Sequence, residues 1–380
     1  MRNTPAAGTV LGAGSHTLNV AFTPTDGVDY VPASASVTLT VNPASLTVTP
    51  NSASKIYGTA NPVFSGSITG MIPGDGITAT YASAATTSTT VGVYSSGPDA
   101  IAGTLSDPGN KLGNYTVNQS PGTLTITQAT TVLTWATPAA ITYGTPLSAT
   151  QLDATSGGVV GTFIYTPTSG TILPAGTQIL SLAFTPSDAV DYSSANTTTS
   201  LTINKATPTV TLTSSANPTV YGSPVTFTAQ TAVSATGTIT FYDGATIIGT
   251  GTLSSGTATF TLNSLGAGTH SITASYGGDS NYLSAVSAAV SQVVTKFPVN
   301  ITVTSSQNPS NYGQSVTFTF TATGVPGLAI PSGSIAFSDG STPLASPTLN
   351  GSGVATYTTV MLTDGSHSLT AVYGGDANYQ

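Results

Sequence analysis

Short runs in which apolar and polar residues alternate recur along the whole chain. The clearest runs lie between residues 225 and 276, where apolar side chains occupy every second position. These positions are Val225, Phe227, Ala229, Ile239, Phe241, Ala258, Phe260, Leu262, Ile272, Ala274 and Tyr276. Short runs of period two predict β-strands with one buried face. Turn signals such as Asp243-Gly244 and Ser255-Gly256 separate the runs, which indicates antiparallel hairpins.

Longer repeats group these strands into modules. A Tyr-Gly pair recurs at intervals of 86, 78 and 91 residues. The pairs are Tyr57-Gly58, Tyr143-Gly144, Tyr221-Gly222 and Tyr312-Gly313. The stretch that begins at Thr211 resembles the one that begins at Thr302, and the stretch that ends at Tyr192 resembles the one that ends at Tyr30. A period of this size is typical of one small β-sandwich.

The repeats predict five modules, numbered in chain order. They are module 1 (residues 1–42), module 2 (43–128), module 3 (129–205), module 4 (206–296) and module 5 (297–380). Module 1 corresponds to the back half of module 3, and module 5 lacks the strand that follows Tyr282 in module 4. The linkers are very short, which favours a semi-rigid, elongated array over independently tumbling domains.

Composition excludes several kinds of partner. Only 5% of the residues are charged, five of them are Lys or Arg, and the formal net charge is −8. The chain therefore offers no basic surface to nucleic acid or to an anionic membrane. Cysteine is absent, so disulfides and thiolate metal sites are excluded. No run approaches the roughly 20 apolar residues of a membrane span. A secretion signal and an anchor are expected outside this chain, because its first residues lack an apolar run.

Several motifs resemble those of bacterial immunoglobulin-like (Ig-like) repeats. Module 2 resembles the mostly-bacterial-Ig type through YGTANPVFSGSITG from Tyr57 and NYTVNQSPGTLTI from Asn114. Modules 4 and 5 resemble group three of these repeats, through YGSPVTFTA, GTITFYDG and YGGDSNY in module 4. Modules 1 and 3 are similar to a related module, with AFTPSDAVDY in module 3. The resemblance implies tandem Ig-like β-sandwiches from large secreted or cell-surface, adhesin-like bacterial proteins, without catalytic residues.

The residues suited to catalysis do not form a recognisable set, so we predict that the chain is not an enzyme. Glutamate is absent. Asp75, Asp243, Asp339 and Asp364 each precede glycine, where a turn position with side-chain bonds to nearby amides is expected. His16, His270 and His367 occupy equivalent positions, and Gln178 replaces them in module 3. Since glutamine is no general base, these positions are expected to be solvated strand edges.

The sequence predicts no cofactor; calcium is the most credible ligand, and turn capping is the simpler interpretation of its candidate residues. Pairs of acidic or amide side chains lie two or three residues apart in loops near module ends. The candidate ligands are Asp26, Asp29, Asp188, Asp191, Asp279 and Asp376. Calcium needs six to eight oxygen ligands, and each loop alone offers too few. A neighbouring linker would have to supply the others.

The sequence therefore predicts a non-catalytic stalk or spacer segment of a secreted or cell-surface bacterial protein, with neighbouring Ig-like modules as its partners. One alternative is a module that binds a glycan or a host surface, for which an exposed aromatic cluster would be the sign. Another is a filament subunit, because a sandwich that lacks a strand exposes an edge that another chain can fill by strand addition.

Overall fold

The computed structural model describes residues 1–380 and contains almost only β-structure. Thirty-two strands are joined by turns, and the one helical element is a 3-10 helix, η1 (Leu112–Asn114). No helix is long and apolar enough to cross a bilayer. The predicted all-β class is confirmed. Short runs rich in valine, isoleucine and threonine form strands because these residues suit the pleated, half-buried surface of a sheet.

Contacts within the chain define two compact units. Unit 1 comprises Met1–Pro138, Ser148–Ser169 and Ile179–Ser200, and unit 2 comprises Ala139–Leu147, Gly170–Gln178 and Leu201–Gln380. Modules 1 and 2 lie wholly in unit 1, and modules 4 and 5 lie wholly in unit 2. The division falls inside module 3 and is coarser than the five modules, whose boundaries stay predictions.

Module 1 forms one antiparallel sheet in the order β1-β2-β3. Its strands are β1 (Arg2–Thr4), β2 (Gly14–Phe22) and β3 (Ala33–Val41). Every residue of β3 except the last is exposed. Module 1 therefore has no second layer packed on this strand.

Module 2 is built from three small sheets around a buried core. Their orders are β10-β4-β6, β5-β11-β8 and β7-β9. The strands are β4 (Ala44–Pro50), β5 (Ala53–Ile56), β6 (Gly66–Thr69), β7 (Thr78–Ala82), β8 (Gly92–Tyr94), β9 (Ala102–Ser106), β10 (Tyr115–Gln119) and β11 (Leu124–Thr127). The first and last strands of the module run parallel, since β10 pairs with β4 and β11 pairs with β5. Leu46, Leu124 and Ile126 lie at the centre of its two clusters.

Module 3 contributes strands to both units. The strands are β12 (Ala129–Thr130), β13 (Ile141–Thr142), β14 (Gly161–Thr166), β15 (Gly176–Pro186), β16 (Tyr192–Ser193) and β17 (Ala195–Asn204). In unit 1, β14 pairs antiparallel with β15, and β12 pairs parallel with β16. In unit 2, β13 pairs parallel with β17. Within unit 1 the half-buried Trp135 meets Tyr165 edge-on, and its ring N–H donates to the Gln151 carbonyl at 3.0 Å.

Module 4 is a two-layer sandwich. One sheet has the order β18-β20-β23, and the other has the order β19-β26-β24-β21-β22, with β25 paired to β24. The strands are β18 (Thr211–Ser214), β19 (Thr219–Val220), β20 (Val225–Gln230), β21 (Thr238–Asp243), β22 (Thr246–Thr252), β23 (Thr257–Leu262), β24 (Gly268–Tyr276), β25 (Ala285–Val286) and β26 (Val290–Thr295). Of the predicted inward positions, only Phe260 and Leu262 are half-buried, and the others are buried. The predicted strands are therefore confirmed.

Module 5 repeats this sandwich with fewer strands. Its sheets have the orders β27-β28-β31 and β30-β29-β32. The strands are β27 (Asn300–Ser305), β28 (Val316–Thr323), β29 (Ile335–Asp339), β30 (Thr342–Ala345), β31 (Val354–Thr359) and β32 (Leu369–Tyr373). Phe318, Phe320 and Phe337 form the centre of its core. Strand β32 has one neighbour, β29, whereas β24 of module 4 has β26 on its other side.

Candidate functional site

The most regular feature of the structure is the set of contacts between consecutive modules. Each module carries an Asx-Tyr dipeptide, an asparagine or aspartate followed by tyrosine, in its C-terminal half. The five dipeptides are Asp29-Tyr30, Asn114-Tyr115, Asp191-Tyr192, Asn281-Tyr282 and Asn378-Tyr379. Four of them contact the module that precedes their own, and in each case both partners belong to the same compact unit. These four places are called the junctions.

One hydrogen bond is common to all four junctions. The Asn378 Oδ1 atom accepts the Ala267 N–H at 2.9 Å, and Asn281 Oδ1 accepts the Ala175 N–H at 3.0 Å. The other two bonds join Asn114 Oδ1 to the Ala13 N–H at 2.7 Å and Asp191 Oδ1 to the Val91 N–H at 2.7 Å. These four donors are called the junction amides. A main-chain donor holds the side chain of the next module in every case, so the bond depends little on the donor residue's own side chain.

A second hydrogen bond restrains the peptide unit of each junction amide. The carbonyl of the same peptide unit accepts a hydrogen bond from the side chain four residues later, which we call the brace residue. His270 Nε2 donates to the Gly266 carbonyl at 2.8 Å, and Gln178 Nε2 donates to the Pro174 carbonyl at 3.1 Å. The other brace bonds run from His16 to Gly12 at 2.6 Å, from Tyr94 to Thr90 at 2.8 Å and from His367 to Thr363 at 3.0 Å. Imidazole, amide and phenol thus do the same task.

Three junctions also pair two tyrosine rings. The tyrosine of the Tyr-Gly pair in one module meets the tyrosine of the Asx-Tyr dipeptide in the next, with the rings close to perpendicular. The centroid distances are 5.4 Å for Tyr57 and Tyr192, 5.3 Å for Tyr143 and Tyr282, and 5.4 Å for Tyr221 and Tyr379. Edge-to-face pairs of this kind are worth about 0.5–1.5 kcal/mol beyond the area they bury. Tyr379 is completely buried.

The linker between modules is bonded to the same dipeptide. The Ala206 N–H donates to the Asn281 carbonyl at 3.0 Å, and the Phe297 N–H donates to the Asn378 carbonyl at 2.9 Å. Just before these residues, Lys205 Nζ donates to the Asp279 carbonyl at 2.6 Å, and Lys296 Nζ donates to that of Asp376. Each of these junctions is therefore fixed by its linker, its amide and its tyrosine pair together.

Five of the six calcium candidates accept hydrogen bonds from the protein itself, and the sixth, Asp29, donates its main-chain N–H. Asp279 Oδ1 accepts the N–H groups of Asn281 and Tyr282, and Asp279 Oδ2 accepts the Thr236 N–H. Asp376 is bonded in the same way to Asn378, Tyr379 and Ser332. Asp26 and Asp188 each accept two amides, which include those of Asp29 and Asp191, the remaining candidates. These are turn-capping contacts, and calcium binding at the six residues stays a prediction.

The charge on Asp279 and Asp376 is stabilised by these bonds. Burial opposes ionisation of both carboxylates, but the surrounding N–H donors outweigh it and lower both pKa values. The same carboxylates act on nearby phenols. Burial and the neighbouring Asp279 raise the pKa of Tyr276 to about 12, and burial with Asp376 raises that of Tyr373 to about 12.

The brace histidines of modules 4 and 5 also pair with aspartate. His270 Nδ1 lies 2.7 Å from Asp243 Oδ2, and His367 Nδ1 lies 2.5 Å from Asp339 Oδ2. Burial lowers the pKa of His270, but its bonds to Gly266 and Asp243 raise it more. For His367, the bond to Thr363 and then the bond to Asp339 raise the pKa above its ordinary value. Both ring nitrogens face acceptors, so neither histidine offers a free nitrogen as a general base.

Two expectations about single residues are wrong. Asp243 and Asp339 lie at hairpin turns as expected, but their carboxylates bind His270 and His367, not local amides. Asp75 likewise accepts the Tyr115 hydroxyl. The side chains of His16, His270 and His367 are not solvated edges, because each is half-buried and bonded to a carbonyl.

Sequence reasoning missed the junctions, although a signal was present. In all five modules, an asparagine or aspartate precedes a tyrosine in the second half of the repeat. A glycine follows the amide residue in every module; these are Gly14, Gly92, Gly176, Gly268 and Gly365. Gly268 has φ = 148°, a conformation that favours glycine. Neither pattern reveals by itself that the two loops meet, because the partners lie about one hundred residues apart.

Comparison with known proteins gives matches to two family models. Residues 46–125 match the MBG domain (YGX type), and residues 212–295 and 303–380 match the bacterial Ig-like domain (group 3). No match was found among curated proteins.

The solved structures that match this chain share little sequence with it. The fibronectin(III)-like modules of Clostridium thermocellum CbhA are 18% identical, cover 45% of this chain and 87% of their own, and have a TM-score of 0.20. The Escherichia coli adhesin FdeC is 14% identical over 88% of this chain and 94% of its own, with a TM-score of 0.22. Immunoglobulin domains 1–5 of Sidekick-1 are 11% identical over 90% and 80%, with a TM-score of 0.24. The family matches fall in modules 2, 4 and 5, so the chain carries one repeat of the MBG type and two bacterial Ig-like repeats of group 3.

Proposed function

We propose that this chain is a non-catalytic spacer, or stalk, in an adhesin-like protein at the bacterial surface. The observation that carries the proposal is the recurrence of one junction bond in all four junctions. The family matches support it, because bacterial Ig-like repeats are structural modules of surface proteins. No group of acidic and histidine side chains comes together to hold a metal.

A spacer needs junctions that resist bending, since a flexible chain of modules does not hold its two ends at a fixed distance. Each hydrogen bond contributes only about 0.5–1.5 kcal/mol, and each tyrosine pair contributes a similar amount. Together they restrain the linker, the loop and the aromatic contact at one place. The absence of disulfides makes these non-covalent contacts the means of restraint.

Small-angle X-ray scattering tests the proposal with the full chain and the double variant Asn281→Ala, Asn378→Ala. We expect the scattering of the wild-type chain to fit a narrow range of maximum dimensions, equal to the length of modules joined end to end. The variant is expected to fit a broader range of maximum dimensions, because two junctions in unit 2 lose the hydrogen bond of their junction amide. A suitable control is Asn350→Ala, which removes a turn-capping asparagine inside module 5. A compact wild-type particle, or identical profiles for all three proteins, would overturn the spacer function.

Strand addition is a second candidate function, because β32 has a neighbour on one side only. A strand from another chain could pair with its free edge and link copies into a filament. Size-exclusion chromatography with light scattering decides between the two. A mass that rises with concentration supports the filament, and a constant monomer mass contradicts it.

Recognition of a glycan or a host surface stays a prediction. The one tryptophan does not form an exposed platform, since Trp135 is half-buried and packs against Tyr165. Binding to a glycan array by the full chain would favour this alternative.

A further inference from the structure

Module 5 carries the features that receive an Asx-Tyr dipeptide at the junctions, and no other part of the chain covers them. Its Tyr-Gly pair places Tyr312 on the surface with 83% of the residue exposed. Its brace residue, His367, bonds the Thr363 carbonyl at 3.0 Å, as His270 bonds Gly266 in module 4. The next residue, Asp364, is exposed, and it occupies the position of the junction amide. A cavity of about 480 Å³ opens between residues 305–318 and 362–369.

The same surface on module 4 shows what fills this space. Tyr221, the counterpart of Tyr312, is only 4% exposed because Tyr379 of module 5 covers it. Asn378, beside Tyr379, accepts the Ala267 N–H. Tyr379 is counted within the hydrophobic core of module 4 itself. Module 5 thus has the tyrosine, the braced peptide and the cavity in the arrangement that receives an Asx-Tyr dipeptide elsewhere.

We propose that the Tyr312 surface of module 5 docks a further Ig-like module through an Asn-Tyr dipeptide. The tyrosine ring enters the cavity and meets Tyr312 edge-on, and the asparagine Oδ1 accepts the Asp364 N–H. These contacts repeat those of Tyr379 and Asn378 with Tyr221 and Ala267.

Charge selects asparagine over aspartate at this surface. In module 5 the equivalent N–H belongs to an acidic residue, Asp364, whereas the four junction amides belong to alanine or valine. A second carboxylate on the docking module would meet a like charge, which is destabilising. The one aspartate that serves at a junction, Asp191, faces the uncharged Val91. This argues against the Asp29-Tyr30 dipeptide of a second copy as the occupant.

This docking rests on the proposed spacer function and adds one junction to it. Its test measures the hydrogen exchange of a single main-chain amide. The full chain is compared with an extended chain in which residues 284–380 are appended after Gln380. This appended copy places a counterpart of β26 after module 5 and then a module with its own Asn-Tyr dipeptide. Hydrogen–deuterium exchange with fragmentation follows the Asp364 N–H. We expect its exchange to slow by roughly tenfold or more in the extended chain.

Matched variants identify the contacts responsible. Replacing the appended copy of Asn378 by alanine is expected to abolish the slowing, and replacing it by aspartate is expected to reduce it. Tyr312→Ala in the extended chain should reduce it as well, and Val372→Ala, at an exposed strand position, should not. Ala267 exchange in the wild-type chain, with and without Asn378→Ala, gives the positive control in a junction already seen.

Two outcomes would overturn the proposal. Unchanged Asp364 exchange in a folded extended chain, with normal Ala267 protection, excludes docking of the Asn-Tyr dipeptide here and leaves the spacer function standing. Slowing in the unextended chain that grows with concentration and disappears in Tyr30→Ala would assign the surface to a second copy instead.

Discussion

Modules 4 and 5 have closely similar motifs but differ in how much their neighbours cover them. Strand β24 of module 4 lies between β21 and β26, whereas β32 of module 5 has only β29 beside it. Tyr221 is buried by the next module, whereas its counterpart Tyr312 is exposed. Part of the core of module 4 is therefore supplied from module 5. The stability of one module thus depends on the next, as expected for repeats that interact with their nearest neighbours.

The largest expected effect comes from removing the tyrosine that the two modules share. Tyr379→Ala deletes a fully buried ring that packs on Tyr221 and whose hydroxyl bonds Ala329 and Val325. We expect a loss of about 3–5 kcal/mol in the free energy of unfolding, measured by hydrogen exchange at core amides of modules 4 and 5. Tyr312→Ala is the matched control and should change stability by less than about 0.5 kcal/mol. Equal losses would contradict the difference between the two surfaces.

The free edge of β32 gives the next effect. Amides of β32 are expected to exchange roughly tenfold or more faster than their counterparts in β24, because one side of β32 has no partner strand. Hydrogen exchange with mass spectrometry on the wild-type chain measures both strands in one experiment. Appending residues 284–295, which include β26, after Gln380 should slow exchange in β32 and leave β24 unchanged. If β32 is already as protected as β24, another segment or chain covers its edge.

A smaller effect is expected from the junction bond itself. Asn378→Ala should destabilise the contact between modules 4 and 5 by about 1–2 kcal/mol, because the Ala267 N–H loses its acceptor. Asn378→Asp keeps the acceptor and should cost less, as Asp191 does this task at another junction. Exchange of the Ala267 amide reports the loss directly. An unchanged Ala267 exchange rate in Asn378→Ala would show that the bond contributes nothing.

The smallest effect is a pH dependence confined to modules 4 and 5. The pKa of His270 and that of His367 are raised above 6.5 in the folded protein. Each therefore stabilises its module fully below that pH, and the contribution is lost as the pH rises through the raised value. His270→Gln and His367→Gln should remove the pH dependence and keep the brace bond, as Gln178 does in module 3. Denaturant unfolding at pH 5.5 and 8.0 tests this, and the opposite sign would contradict the charged pairs.

The fold was predictable from sequence because its determinants are local. Alternation at Val225, Phe227 and Ala229 sets the buried face of a strand, and Ser255-Gly256 marks a turn whose residues have φ of 49° and 76°. Such patterns lie within a few residues of each other. They specify the strands and turns without knowledge of distant contacts.

The junctions were not predictable because each joins two loops that look ordinary alone. Asn378 resembles a turn asparagine, and Ala267 has no side chain that suggests a role. His270 was expected to be solvated, since the replacement of its equivalent by Gln178 excludes acid–base chemistry but says nothing about a carbonyl acceptor. Only the folded chain shows that the two ring nitrogens bind Gly266 and Asp243. Tertiary contacts within and between modules, not local propensity, decide these roles.

The junction amide has a consequence for how such chains can evolve. Because a main-chain N–H makes this bond, the bond itself needs no particular side chain on the donor module. The brace accepts histidine, glutamine or tyrosine, so substitutions at that position need not break the contact. Gene duplication and recombination can therefore reorder modules of different families within one reading frame. The hydrogen-bond donor that each new neighbour needs is already present in the main chain.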